Sequence, residues 1–132
     1  MANKMRTLVA ALLVPFVFGA GAAGAARPSP VEYQFVSACA GELAGVAAVI
    51  GASAFSGKNA AGNKDGLLSK VYGADQKVYQ NKPLEAEGLL YQVADKANDL
   101  ANQGKLAGAD AAGIVAAATL PGDAMTCVMG QQ

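Results

Sequence analysis

Apolar positions recur along the chain with the spacing of helices, and four such segments stand out. The first is read from about Val31 to Phe55. At 100° per residue Phe35, Cys39, Leu43, Val46 and Ile50 share one arc, while Ser37, Gly41, Gly45, Ala48 and Ala52 lie nearly opposite. The second, about Leu67 to Gln80, puts Leu67, Val71, Ala74 and Val78 on one face and Lys70 and Lys77, a heptad apart, on the other. Asp75 falls inside the apolar arc, where a buried carboxylate needs partners; a half-exposed position bonded to a tyrosine or to water is the expectation. The third opens at Pro83, with Glu85 and Glu87 near its positive end, a core stripe of Leu89, Val93, Ala97 and Leu100, and a stop at Gly104. The fourth, about Leu106 to Leu120, is apolar around its whole girth beyond Asp110, a pattern that asks for cover on all sides. Ser56 to Gly66 reads as a loop, and a turn after Pro121-Gly122 returns the chain towards the first helix.

The N-terminus does not belong to this pattern. Lys4 and Arg6, the eleven apolar residues Leu8 to Phe18 and the small residues Gly19 to Ala26 have the three zones of a secretory signal peptide. The apolar run is shorter than the roughly 20 residues that a spanning helix needs. The expected division is therefore a signal peptide over residues 1–26 and a single helical domain over residues 27–132. Without the signal, Arg27 and seven lysines against ten acids leave a balance of −2, which excludes a strongly basic nucleic-acid binder.

Export also changes how the cysteines are read. Cys39 and Cys127 are the only two, and an even pair in a small exported domain points to a disulfide; no Cys-x-x-Cys spacing marks a redox centre. Alanine supplies 30 of the 132 residues, so the fold class expected is all-α, a compact bundle of four helices closed by one disulfide.

Candidate chemistry is mostly excluded. The chain has no histidine, its cysteines are expected to be paired, and its acids are dispersed, so no catalytic residue, metal site or cofactor is assigned and an enzyme is not expected. Gly51 to Asn59 imitates a phosphate loop, but five residues separate its glycines, Asn59 stands where Ser or Thr is required, and it ends a helix instead of starting one. Asn63 to Gly66 has too few oxygen donors for a calcium loop.

Surface pattern remains. Gly41-x-x-x-Gly45 lies in a seam of small residues, Ser37, Gly41, Gly45, Ala48 and Ala52, which permits close approach of another backbone, either inside the bundle or from another subunit or a membrane helix. Ser56 to Lys82 carries +3 and Pro83 to Asp123 carries −4. Such segregation serves cross-helix ion pairs in a hairpin, or a charged face that selects ions by sign in a water-filled passage.

The signal peptide, the four short helices, the stretch Tyr33-Gln34-Phe35-Val36-Ser37-Ala38-Cys39 with the Gly/Ala-rich helix after it, and the C-terminal Thr126-Cys127 resemble the small α-helical B-type porins of the corynebacterial cell envelope. The resemblance runs over about Val31 to Met129. It implies a homo-oligomeric channel in an outer mycolate membrane that passes small, preferably anionic solutes, with membrane or envelope lipid as surroundings. On that reading Lys70 and Lys77 are the candidate pore-lining residues. The first helix, at about 25 residues, would reach roughly 37 Å, enough to cross a hydrocarbon core, while the other three fall short. The alternative is a soluble exported helical module of the envelope, binding or structural, without channel activity.

Overall fold

The structure is a computed structural model and describes residues 33–132; the signal peptide expected over residues 1–26 and the stretch up to Glu32 lie outside the described residues. Five helices follow in order: α1 (Ala40–Gly51), α2 (Ala60–Tyr79), α3 (Pro83–Asn102), α4 (Gly108–Ala118) and α5 (Asp123–Gly130). The first four pack as the expected all-α bundle. The fifth is short and stands where the sequence suggests only a turn.

α1 begins nine residues later than the periodicity implies. The backbone N–H groups of Val36 and Ser37 are both given to the Asp75 carboxylate on α2, so Tyr33–Ala38 runs as a non-helical strap. Ser37 Oγ then accepts the Cys39 N–H at 3.1 Å, and Ser37 O accepts the Ala40 N–H at 3.0 Å, turning the chain into α1. A 12-residue helix rises only about 18 Å, so the expected membrane-length first helix is replaced by a short one.

The error at α2 has the opposite sign. Its composition argues for a loop up to Gly66, yet the helix is formed from Ala60. Gly62 and Gly66 each cost about 1 kcal/mol of helix propensity, but tertiary contacts offset this. Leu67 and Leu68 are buried, and the Lys64 ammonium donates to Gly51 O at 3.1 Å, on the negative end of α1, while lying 5.7 Å from the Phe55 ring centre. At 20 residues each, α2 and α3 rise about 30 Å, so they are the long helices of the bundle.

Both ends of the hairpin are built alike. At the α2 terminus Lys82 N–H bonds to Lys77 O and Asn81 N–H to Val78 O, with Asn81 at φ 67°. After α3, Lys105 N–H bonds to Leu100 O and Gly104 N–H to Ala101 O, with Gly104 at φ 75°. These paired bonds satisfy carbonyls that a helix end leaves open, and they require a left-handed residue. The connections α1–α2 and α3–α4 meet at one antiparallel bridge between Phe55 and Leu106, and Asp110 accepts the Ala54 N–H at 2.7 Å.

The core runs between all five helices and includes Leu43, Ile50, Leu67, Leu90, Ile114 and Met125, each fully buried. α4 does not receive the all-round cover its composition suggests. Ala111, Ile114 and Ala118 are buried, whereas Ala109, Ala112, Gly113 and Ala116 face outwards. Because these outer residues are small, leaving them wet exposes little apolar area per residue.

Gly108–Gly130 has the length and composition of a membrane-crossing segment. Extended dihedrals at Thr119 (φ −124°, ψ 171°) and Gly122 (φ −61°, ψ 151°) nevertheless divide it into helices of 11 and 8 residues. The corner is tight. A Cβ on Gly122 would come within 2.6 to 2.8 Å of the carbonyl oxygens of Ala116, Ala117 and Thr119.

Two substitutions separate steric from conformational demands on glycine. Gly122→Ala is expected to lower unfolding free energy by about 3 kcal/mol, through displacement of the α4–α5 corner. Gly104→Ala has open space for its methyl group and should lose only about 1 kcal/mol, from the left-handed φ. Urea unfolding of the two variants measures both, and equal losses would contradict this account.

Candidate functional site

The most elaborate polar arrangement surrounds Asp75. Its side chain is completely buried, contrary to the half-exposed edge position expected. Oδ2 accepts the Val36 N–H and the Tyr33 hydroxyl, each at 2.9 Å, and Oδ1 accepts the Ser37 N–H at 2.9 Å. Tyr33 Oη lies 3.2 Å from Tyr72 O as well, but its single proton favours the shorter, charged partner. Gln76 Nε2 donates to Tyr33 Oη at 2.9 Å. The Tyr33 ring stacks on Tyr72 with centroids 4.1 Å apart, and Phe35 meets both rings edge-on. The tyrosine partner fits the sequence reading; the strap that brings it was hidden.

Burial pushes the Asp75 carboxyl up, but hydrogen bonds from the Ser37 side chain, the Val36 and Ser37 N–H groups and Tyr33 outweigh it and hold the group below the ordinary aspartate value. Burial, together with the adjacent carboxylate, raises the Tyr33 phenol despite the opposing bond from Gln76. Every strong acceptor of Asp75 is thus engaged with the protein's own chain. This is an anchor for the strap, and the Asp75 carboxylate is fully engaged in it.

Cys39 and Cys127 form the expected disulfide, with Cα atoms 5.8 Å apart and a sequence separation of 88. It joins the start of α1 to α5. The chain-entropy estimate for a loop of this size is on the order of 4.5 kcal/mol.

Lys70 and Lys77 lie half-buried on the side of α2 that faces α3. Lys70 Nζ donates to Gln92 Oε1 at 3.2 Å, and Lys77 Nζ pairs with Glu85 at 2.9 Å. The Lys77 bond and charge draw the Glu85 carboxyl below its usual range. The two lysines therefore differ: Lys77 has a carboxylate beside it and Lys70 a neutral amide. The sequence places Glu85 at the helix start; its role as the counter-charge follows from the hairpin register.

The seam residues separate into two groups. Ser37 belongs to the strap and is buried beside Asp75. Gly41, Gly45 and Ala48 on α1, with Ala52 just after it, share one outer face and are exposed; among the described residues a Cβ on Gly41 or Gly45 would meet nothing within 4 Å. Among the described residues, then, no side chain or neighbouring backbone packs closely on these two glycines. α4 lies alongside, with Gly113 close to Val49, and its exposed residues Ala112, Gly113 and Ala116 are small like those of α1, while Glu42 on α1 is exposed as well. A groove of about 420 Å³ borders these residues, lined by Gly41, Glu42, Gly45, Val46, Ala117, Asp123 and Ala124. Among the described residues no group of three or more acidic or cysteine side chains is placed to hold a metal ion.

Comparison with protein-family models, with characterised proteins and with solved structures finds no match to this chain.

The anchor has a defined acid dependence. Because the folded-state value of Asp75 is depressed, its contribution is full above the unfolded aspartate value of 3.8 and is lost as pH falls through the lower folded value. Asp75→Asn is expected to cost about 3 kcal/mol at neutral pH and to weaken the fall in stability under acid. Urea midpoints collected from neutral pH downward for both proteins check this, and an unchanged acid limb would refute it.

Proposed function

We propose that this is an exported cell-envelope protein whose subunits associate into a channel for small anions, in keeping with the resemblance to the B-type porins. The observation that carries the reading is the set of exposed small residues on α1 and α4, Gly41, Gly45 and Ala48 with Ala112, Gly113 and Ala116, bordered by the Glu42 carboxylate. A surface of this kind lets a second helix pair approach backbone to backbone. Charge is concentrated elsewhere, on α2 and α3, so association through α1 and α4 leaves the hairpin available to water. In such an assembly Lys70 is the main anion-attracting group, because Glu85 offsets Lys77.

The lengths of the helices constrain how a channel can be made. α1, α4 and α5 are each too short to cross a hydrocarbon core of about 30 Å. The two helices of sufficient length are polar on their outer sides. A passage therefore requires several subunits acting together. The same facts favour one second reading, a soluble envelope module that binds or braces without conducting.

Planar-bilayer recording on the purified protein distinguishes the two. Discrete conductance steps are expected for the channel, and silence across detergents and protein concentrations would overturn it. Lys70→Glu should shift reversal potentials towards cations, and Lys77→Glu should do so less. Gly45→Leu, placed in open space on the outer face, should leave folding intact while abolishing the steps; unchanged steps would remove α1 from the subunit contact.

A further inference from the structure

The two sulfurs of the disulfide have unequal surroundings. Cys39 is fully buried behind the strap, whereas Cys127, on the short helix α5, is partly exposed. Thiol–disulfide exchange proceeds by attack of a thiolate on one sulfur, in line with the bond that breaks. Ala38 O and Gln131 Nε2 lie 4.0 Å from Cys127 Sγ, both contacts at the exposed surface, so the Cys127 sulfur is the one an external thiolate meets first, with Cys39 as the leaving group. The opposite attack would have to come through the packed interior around Cys39.

The strap adds a second asymmetry. Asp75 holds the N–H groups of Val36 and Ser37, and Ser37 Oγ holds the N–H of Cys39. The Cys39 backbone is therefore fixed by contacts independent of the disulfide, while Cys127 rides on a helix of eight residues.

We propose that Cys127 is the entry sulfur through which thiol or disulfide reagents act on this protein, that Cys39 is the resolving sulfur, and that Asp75 is a positioning residue which keeps Cys39 poised for closure. In oxidation by a glutathione-type disulfide, the Cys127 thiolate attacks that disulfide and forms a mixed disulfide, expelling one glutathione thiolate. The Cys39 thiolate then attacks Cys127 Sγ, forming the native bond and expelling the second glutathione thiolate. The two cysteine protons pass to solvent, and the two electrons are carried by the two glutathione molecules. Reduction by a monothiol is the reverse, with Cys39 released first.

Brief treatment of the native protein with reduced glutathione, followed by acid quenching, alkylation of the released thiol and peptide mass spectrometry, reads the order directly. Glutathione on Cys127 with alkylated Cys39 is expected to exceed the opposite pattern by about tenfold or more. Equal or inverted labelling would overturn the proposal. For the positioning role, the reduced protein is mixed with glutathione disulfide and the lifetime of the Cys127 adduct is followed. Asp75→Asn should lengthen it by about tenfold and Tyr33→Phe, which removes one bond to the same carboxylate, by less. Leu90→Ala, a core truncation away from the strap, serves as the control for general destabilisation and should leave the lifetime unchanged. Equal lengthening in Asp75→Asn and Leu90→Ala, or none in Asp75→Asn, would remove Asp75 from the closure step.

Discussion

A buried carboxylate is tolerated only when donors replace the water it has lost, and Asp75 imposes that requirement on everything around it. Its donors come from Tyr33, Val36 and Ser37. Supplying them takes the preceding segment out of helical geometry, delays the start of α1 until Ala40 and sets Cys39 at the entrance to that helix. The disulfide to α5 is made from the position so defined. A single acid in an otherwise apolar stripe thus determines where the first helix begins and which end of the bundle is tied.

The two braces act on different states of the chain. The disulfide closes a loop across a sequence separation of 88 and chiefly limits the unfolded ensemble. Asp75 acts on the native state, where its hydrogen bonds compensate its desolvation. The Tyr33–Tyr72 stack and the flanking Phe35 add apolar contact beside the carboxylate, keeping the strap on α2. At the other end, Lys64 on the α1 terminus and Asp110 on the Ala54 N–H tie the α1–α2 connection to α2 and α4. Both ends of the short first helix are therefore held by side chains from other helices.

This arrangement divides the surface by character. Large apolar side chains of α1 and α4 are turned inward, and their outer sides carry mostly glycine and alanine, with Glu42 exposed on α1. The hairpin of α2 and α3 carries most of the charge, with Lys77 and Glu85 paired across it. One side is thus suited to close contact with another helical surface and the other to water. The association proposed above uses both properties without asking any short helix to cross a membrane alone.

The sequence by itself determined the helical class, the core stripe of α2, most of that of α3, where Leu90 and not Leu89 is fully buried, the boundaries of α3 and the pairing of the two cysteines. These depend on local periodicity, on Pro83 and Gly104 at helix ends, and on there being one possible cysteine partner. Only the tertiary structure decided the start of α1, the early start of α2, the break between α4 and α5 and the exposure of the Gly41–Gly45 face. In each case a contact distant in sequence outweighed local preference: Asp75 on the strap, Lys64 on the α1 terminus, and the carbonyl oxygens packed around Gly122. Periodicity shows which residues share a face. It does not show whether that face is covered, and for Gly41 and Gly45 the open space beside them among the described residues is a property of the assembled bundle.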